Sequence, residues 1–181
     1  MNHLTTAAVA TLIVAAVPLS SPLAAPPGFD VVPPQKIVIS LQSDPLKVQE
    51  PACVALQLGT AMLKSRTPES GPDDEVTIFA TLDGVGIANA EVMASPQLMN
   101  APSKFCKTVN QSGELQDPVP LPKVLENYLD AGGKILACPL CWVIKFGDLA
   151  QSMEDLYPSD GQVYIDSPVP LFLEADKVID Y

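Results

Sequence analysis

Short runs of aliphatic and β-branched residues alternate along this chain with amphipathic helical stripes, and that alternation limits the fold more than any other feature. Lys36–Leu41, Val76–Leu82, Lys134–Ala137 and Lys177–Tyr181 read as strands. The first is almost continuously apolar, the pattern of a strand covered on both faces of a parallel sheet. Between them lie helical stretches. Glu50–Ser65 carries Pro51 in its first turn and Ala52, Ala55, Leu56, Gly59, Met62 and Leu63 among its apolar positions. Leu121–Ala131 sets Leu121, Val124, Leu125, Tyr128 and Leu129 in one stripe and stops at Gly132-Gly133. Pro139 to about Leu156 is expected as a helix, and Val169–Ala175 as a short one. Strands alternating with helices specify a single three-layer α/β domain with a mostly parallel sheet flanked by helices.

The 181 residues suit one domain, and an apolar content of 48% supplies a core. The 19 prolines gather in Pro18–Pro34, Pro96–Pro122 and Pro158–Pro170, marking a leader and two loop regions. Ala7–Val17 is apolar except at Thr11, a length that fits a secretory signal and falls short of the ~20 residues a bilayer span needs. Ser20-Ser21-Pro22 ends that run, and Ala24-Ala25 offers small residues for cleavage. Residues 1–25 are therefore expected as a signal peptide, 26–35 as a Pro-rich lead-in and 36–181 as the folded domain, with a long excursion over 90–120 holding one short helix. The expected location is periplasmic or secreted, without a stable membrane span after cleavage. A net charge of −11 repels phosphate backbones, so nucleic acid is not an expected partner. His3 is the sole histidine and falls in the leader, which closes off Ser-His and Cys-His mechanisms and imidazole ligation in the mature chain.

Cys138-Pro139-Leu140-Cys141 is the strongest local motif. The strand before it ends at Ala137, so Cys138 falls at the cap of the next helix and Pro139 at its first position. A thiol there faces unpaired N–H groups and the positive end of the helix dipole, which favours the thiolate. Open parallel sheets collect ligands at the carboxyl ends of their strands, where this pair would lie. The spacing also lets one cysteine resolve an oxidised or sulfur-loaded form of the other. The bland alternatives are a structural disulfide or two buried thiols; a zinc half-site lacks a second close pair. Trp142 reads as a core residue.

Cys53, in the first turn of the first helix, and Cys106, in the excursion, belong to the same carboxyl edge. They suit either a disulfide pinning the long loop, which an oxidising compartment permits, or two thiols gathered with Cys138 and Cys141 around one cleft. Asp83-Gly84-Val85-Gly86 shares that edge, and its glycines would admit a close backbone approach by a ligand or a neighbouring subunit. Asn110-Gln111-Ser112 matches a glycosylation sequon. The chain has no Gly-rich phosphate loop, basic stripe or GxSxG elbow, and no cofactor is expected.

Taken in order, these pieces resemble the DsrE/DsrF-like sulfur-relay family. The resemblance rests on Lys36-Ile37-Val38-Ile39, on Thr81-Leu82-Asp83-Gly84-Val85 and on Leu129-Asp130-Ala131-Gly132-Gly133. It continues through Lys134-Ile135-Leu136-Ala137-Cys138 and Ala175-Asp176-Lys177-Val178-Ile179-Asp180-Tyr181. It implies about five strands flanked by helices, homo- or hetero-oligomers, and sulfur carried as a persulfide on a cysteine after a late strand, the position of Cys138. Cys138 is thus expected as the sulfur-accepting thiolate and Cys141 as the resolving thiol, in a sulfurtransferase-like carrier that meets a sulfur-donor or acceptor protein. A non-enzymatic exported module that binds a ligand or partner and holds structural cysteines is the alternative. A thioredoxin-like oxidoreductase fits less well, because that fold places its CxxC after an early strand, with Trp before the pair.

Overall fold

The computed structural model describes residues 34–65, 74–147, 149 and 154–181. The expected signal peptide, His3, most of the lead-in and most of the loop before the second strand lie outside them. Among the described residues no helix is long and apolar enough to cross a membrane.

The elements run β1 (Lys36–Leu41), α1 (Glu50–Lys64), β2 (Glu75–Ala80), a 3-10 turn over Leu82–Ala88, α2 (Ala90–Met93), α3 (Pro96–Asn100), β3 (Lys107–Val109), β4 (Leu115–Pro118), α4 (Leu121–Asp130), β5 (Lys134–Ala137), α5 (Pro139–Phe146), β6 (Val163–Ile165), α6 (Val169–Glu174) and β7 (Lys177–Asp180). Five strands form one sheet in the order β6-β5-β2-β1-β7, with each neighbouring pair parallel. The five-stranded parallel sheet flanked by helices agrees with the expected α/β architecture.

Strand alternation divides the core unequally. Ile37, Ile39 and Leu41 of β1, Val76, Ile78 and Ala80 of β2, and Ile135 and Ala137 of β5 all join the larger cluster. There they meet Ala52, Ala55 and Leu56 of α1 and the stripe Leu121, Val124, Leu125, Tyr128 and Leu129 of α4. Among the described residues the opposite face buries a smaller cluster, Val38, Phe79 and Leu136, with Tyr164, Ala175 and Leu171 of α6 packed against it. Phe172 meets Phe79 edge-on there, with ring centroids 5.2 Å apart, a favoured aromatic geometry. Tyr128 anchors α4 to the sheet: its hydroxyl lies 2.8 Å from the Val76 carbonyl and accepts the Lys134 N–H at 3.2 Å.

Four expectations are corrected. The second strand stops at Ala80 rather than Leu82, because Leu82 takes a left-handed φ of 49° and turns the chain into the 3-10 segment. The excursion contains two short helices, each capped by a side chain (Asn89 for α2, Ser95 for α3), together with the antiparallel β3–β4 ribbon. The helix expected from Pro139 to about Leu156 ends at Phe146, where Gly147 has φ 99° and breaks the helical dihedrals. Val163–Ile165 adds a short strand at the sheet edge that the sequence reading assigned to loop.

Cys53 and Cys106 are disulfide-bonded, with Cα atoms 4.8 Å apart. The bond ties the first turn of α1 to the entry of the ribbon. Lys64 reinforces this attachment by donating to the Val109 carbonyl at 2.7 Å, and Asn127 of α4 ties the same strand to a second helix by accepting the Val109 N–H at 2.8 Å. Two of the four cysteines are therefore structural, and the pair left as thiols is Cys138 and Cys141.

Candidate active site at the carboxyl edge

The site is assembled by register. Leu41, Ala80 and Ala137 are successive cross-strand neighbours at the carboxyl ends of β1, β2 and β5. The ladder then continues for one more bond on each side: Thr81 N–H donates to Leu41 O and Cys138 N–H to Ala80 O, both at 2.9 Å. Thr81 and Cys138 thus leave the sheet side by side. Cys138 is the N-cap of α5, Pro139 fills its first turn, and the Cys138 Sγ accepts the Cys141 N–H at 3.4 Å. One helical turn later, Cys141 Sγ stands 3.4 Å from Thr81 Oγ1.

Both thiols are half-buried, yet their surroundings act in opposite directions. Burial pushes the Cys138 thiol above its ordinary value, and its hydrogen bond to Cys141 adds to the rise. Burial also acts upward on Cys141, but hydrogen bonds from the Cys138 thiol, the Thr81 hydroxyl and the Leu82 N–H outweigh it, and the Cys141 thiol falls below its ordinary value. Donors aimed at a sulfur stabilise its anion. The expected placement of Cys138 at the helix cap holds. The downward shift, however, falls on Cys141.

Leu82 is the one described residue other than glycine with positive φ. A left-handed leucine costs of order 1–2 kcal/mol, and it stands directly after Thr81, whose hydroxyl meets Cys141. Neither Thr81 nor Leu82 was singled out from the sequence as a site residue; the available signal was their position at a strand's carboxyl end, directly before Asp83-Gly84.

Leu82, Asp83, Cys141, Ile144 and Lys145 line a groove of about 410 Å³. Lys145 Nζ meets Asp44 Oδ2 at 3.2 Å, Asp83 Oδ1 at 3.3 Å and the Asp83 carbonyl at 2.9 Å. Asp44 is held below the usual carboxylate range, although burial opposes this, by the Leu46 N–H and by Lys145 and Lys47. Of the segment Asp83-Gly84-Val85-Gly86, only Asp83 lines the groove. Gly84, Val85 and Gly86 are buried; a Cβ on Gly84 would stand 2.2 Å from Leu41 O, and one on Gly86 would meet the Pro45 ring at 3.2 Å. The close approach these glycines permit is thus made within the fold. Trp142 is fully buried in the main core, its ring 4.7 Å from that of Phe146. A larger open cleft, about 640 Å³ between Glu126, Asp130, Tyr157 and Gln162, is lined without any cysteine. Among the described residues no cluster of His, Cys, Asp and Glu is placed to hold a metal ion.

Neither a protein-family model nor a curated protein matches the sequence. A solved structure does match the fold. The crystal structure of the YchN protein from E. coli, a DsrE/DsrF-like fold protein, aligns with 81% of this chain and 99% of its own, at a TM-score of 0.51 and 18% identity. The fold is DsrE-like. At that identity the likeness concerns architecture alone, so the chemistry rests on the cysteine pair and its neighbours.

Proposed function

We propose that this DsrE-like protein is an exported sulfur-handling protein that works by thiol exchange at the Cys138–Cys141 pair. The observation that carries the reading is the contact of Thr81 Oγ1 with Cys141 Sγ at 3.4 Å, at the mouth of a groove and one helical turn from a second thiol. The disulfide between Cys53 and Cys106 supports an oxidising compartment.

The roles then divide opposite to the expectation from the sequence, with Cys141, the thiol held below its ordinary value, as the nucleophile. Cys141, as thiolate, attacks the outer sulfur of a persulfide R–S–SH; the donor S–S bond breaks, R–S⁻ leaves, and Cys141 carries the transferred sulfur. Cys138, after losing its proton to solvent, then attacks Cys141 Sγ, forming the Cys138–Cys141 disulfide and releasing HS⁻. Attack by an acceptor thiolate on the outer sulfur instead passes the sulfur on and restores both thiols. With a disulfide R–S–S–R in place of the persulfide, the same geometry gives ordinary disulfide exchange.

Intact-mass measurement after exposure to a persulfide donor tests this. Cys138→Ser should gain one reductant-removable sulfur, wild type should end two hydrogens lighter as the Cys138–Cys141 disulfide, and Cys141→Ser should gain none. Loading of Cys141→Ser at the level of Cys138→Ser would return the attacking role to Cys138. Loading that survives replacement of both cysteines would remove the function.

A further inference from the structure

The groove beside Cys141 also bears on which sulfur compounds it accepts. We infer that its substrate presents the reacting sulfur on an uncharged, apolar group, and that anionic sulfur donors are poor substrates. This inference rests on the thiol-exchange reading above.

Two observations carry it. First, the lysine lining the groove has no donor left for a ligand. An ammonium group has three N–H donors, and Lys145 already meets three acceptors: Asp44 Oδ2, Asp83 Oδ1 and the Asp83 carbonyl. Its side chain is only 18% exposed. Lys47 reaches the same two carboxylates, at 3.6 Å from Asp44 and 3.7 Å from Asp83. The four side chains sum to zero charge, so an incoming carboxylate, sulfonate or thiosulfate-type anion meets a neutralised cluster within a chain of net charge −11. An anion brought into the groove loses hydration without finding a free donor on Lys145, the lysine that lines it.

Second, the surface around the thiol is apolar and uncovered. Leu82 is 60% exposed, Leu140 68% and Ile144 77%, with Val143 also exposed. Leu82 and Ile144 form walls of the groove, whereas Leu140 and Val143 extend the apolar surface along α5 beyond it. Such a rim gains by covering apolar area and offers little to a hydrated charge.

The step is the exchange already described: Cys141 S⁻ attacks the probe's cysteine sulfur, a Cys141–S–S–peptide bond forms, and thiopyridone leaves with the electron pair of the broken bond. The probes are thiopyridyl mixed disulfides of a short peptide whose cysteine is flanked by Leu and Val, of the same peptide flanked by Asp, and of methanethiol. All share the leaving group, and Cys138→Ser stops the reaction at the first adduct. With each rate divided by that of free cysteine, the apolar peptide should exceed the acidic one by about tenfold or more. Added salt should narrow the gap by screening the repulsion between the acidic peptide and the protein. Ile144→Asp, a change at an exposed position, should slow the apolar probe. A faster apolar peptide than methyl probe would make the apolar group a polypeptide segment, and equal rates would make it a small molecule; either supports the class. Equal normalised rates for the apolar and acidic peptides, or a faster acidic one, would overturn the charge preference and leave the thiol reading standing. Rates for every probe no greater than that of free cysteine would overturn both. A stable oligomer in solution that Ile144→Asp dissociates would assign the rim to a second copy of the chain and also overturn the proposal.

Discussion

At the scale of single residues, the two cysteines differ in what surrounds their sulfur atoms. Cys138 Sγ caps a helix by accepting the Cys141 N–H at 3.4 Å, whereas Cys141 Sγ meets the Thr81 hydroxyl at 3.4 Å. Thr81→Val keeps the shape but removes the hydroxyl donor. Because a depressed thiol pKa places the rise of reactivity at lower pH, this change should move the inflection of the pH–rate profile upward, as measured by thiopyridone release. An unchanged inflection would show that the hydroxyl does not stabilise the thiolate. Asp44 makes a second case. Its carboxyl is depressed in the fold, so the stability it contributes is present above the ordinary carboxylate range and is lost as pH falls through its folded value. Asp44→Asn should cost about 1–2 kcal/mol at neutral pH, and denaturant titrations should show the gap from wild type closing in acid. The cysteine pair was legible in the sequence because its signals are local: a strand end, a proline at the first helical position and the CxxC spacing. Thr81, Leu82, Asp44 and Lys145 were not, since their meeting depends on the alignment of Leu41, Ala80 and Ala137 across three strands.

At the scale of elements, the 3-10 turn after β2 governs the site. It starts at a strained leucine and continues through Gly84, whose backbone lies against the end of β1. Gly84→Ala would drive a Cβ to 2.2 Å from the Leu41 carbonyl, an atom that cannot move without disturbing the sheet. The expected result is a loss of at least about 2 kcal/mol in chemical denaturation, with slower thiol exchange as Thr81 and Leu82 shift. Wild-type stability in this variant would mean that the turn yields easily. The sequence made this segment legible as a glycine-bearing loop at the carboxyl edge. It did not reveal the early end of β2, because propensity favours continuing through Thr81-Leu82, and only the tertiary bonds of the turn impose the left-handed leucine. The premature end of α5 at Gly147 could be read locally, whereas β6, three residues long, owes its strand character to pairing with β5.

At the scale of the whole molecule, a parallel sheet holds the chemistry at one edge while a disulfide holds the excursion at α1. Cys53 and Cys106 are 53 residues apart in sequence, and closing a loop of that length is worth about 4 kcal/mol by chain entropy. Replacing both with alanine should lower stability by about that amount while leaving exchange at Cys141 intact, a combination that separates the structural pair from the reactive one. The order of strands and helices, the main core stripe and the overall layering were legible because they follow from periodicity. The unequal covering of the two sheet faces was not, because α6 is short and its place follows from the return of the chain to β7 beside β1. Cys141 as the attacking thiolate of the pair is tested by labelling reduced wild-type protein at neutral pH with substoichiometric iodoacetamide and mapping the modified peptide by mass. Modification is expected predominantly at Cys141; predominant modification at Cys138 would assign the thiolate to Cys138 instead.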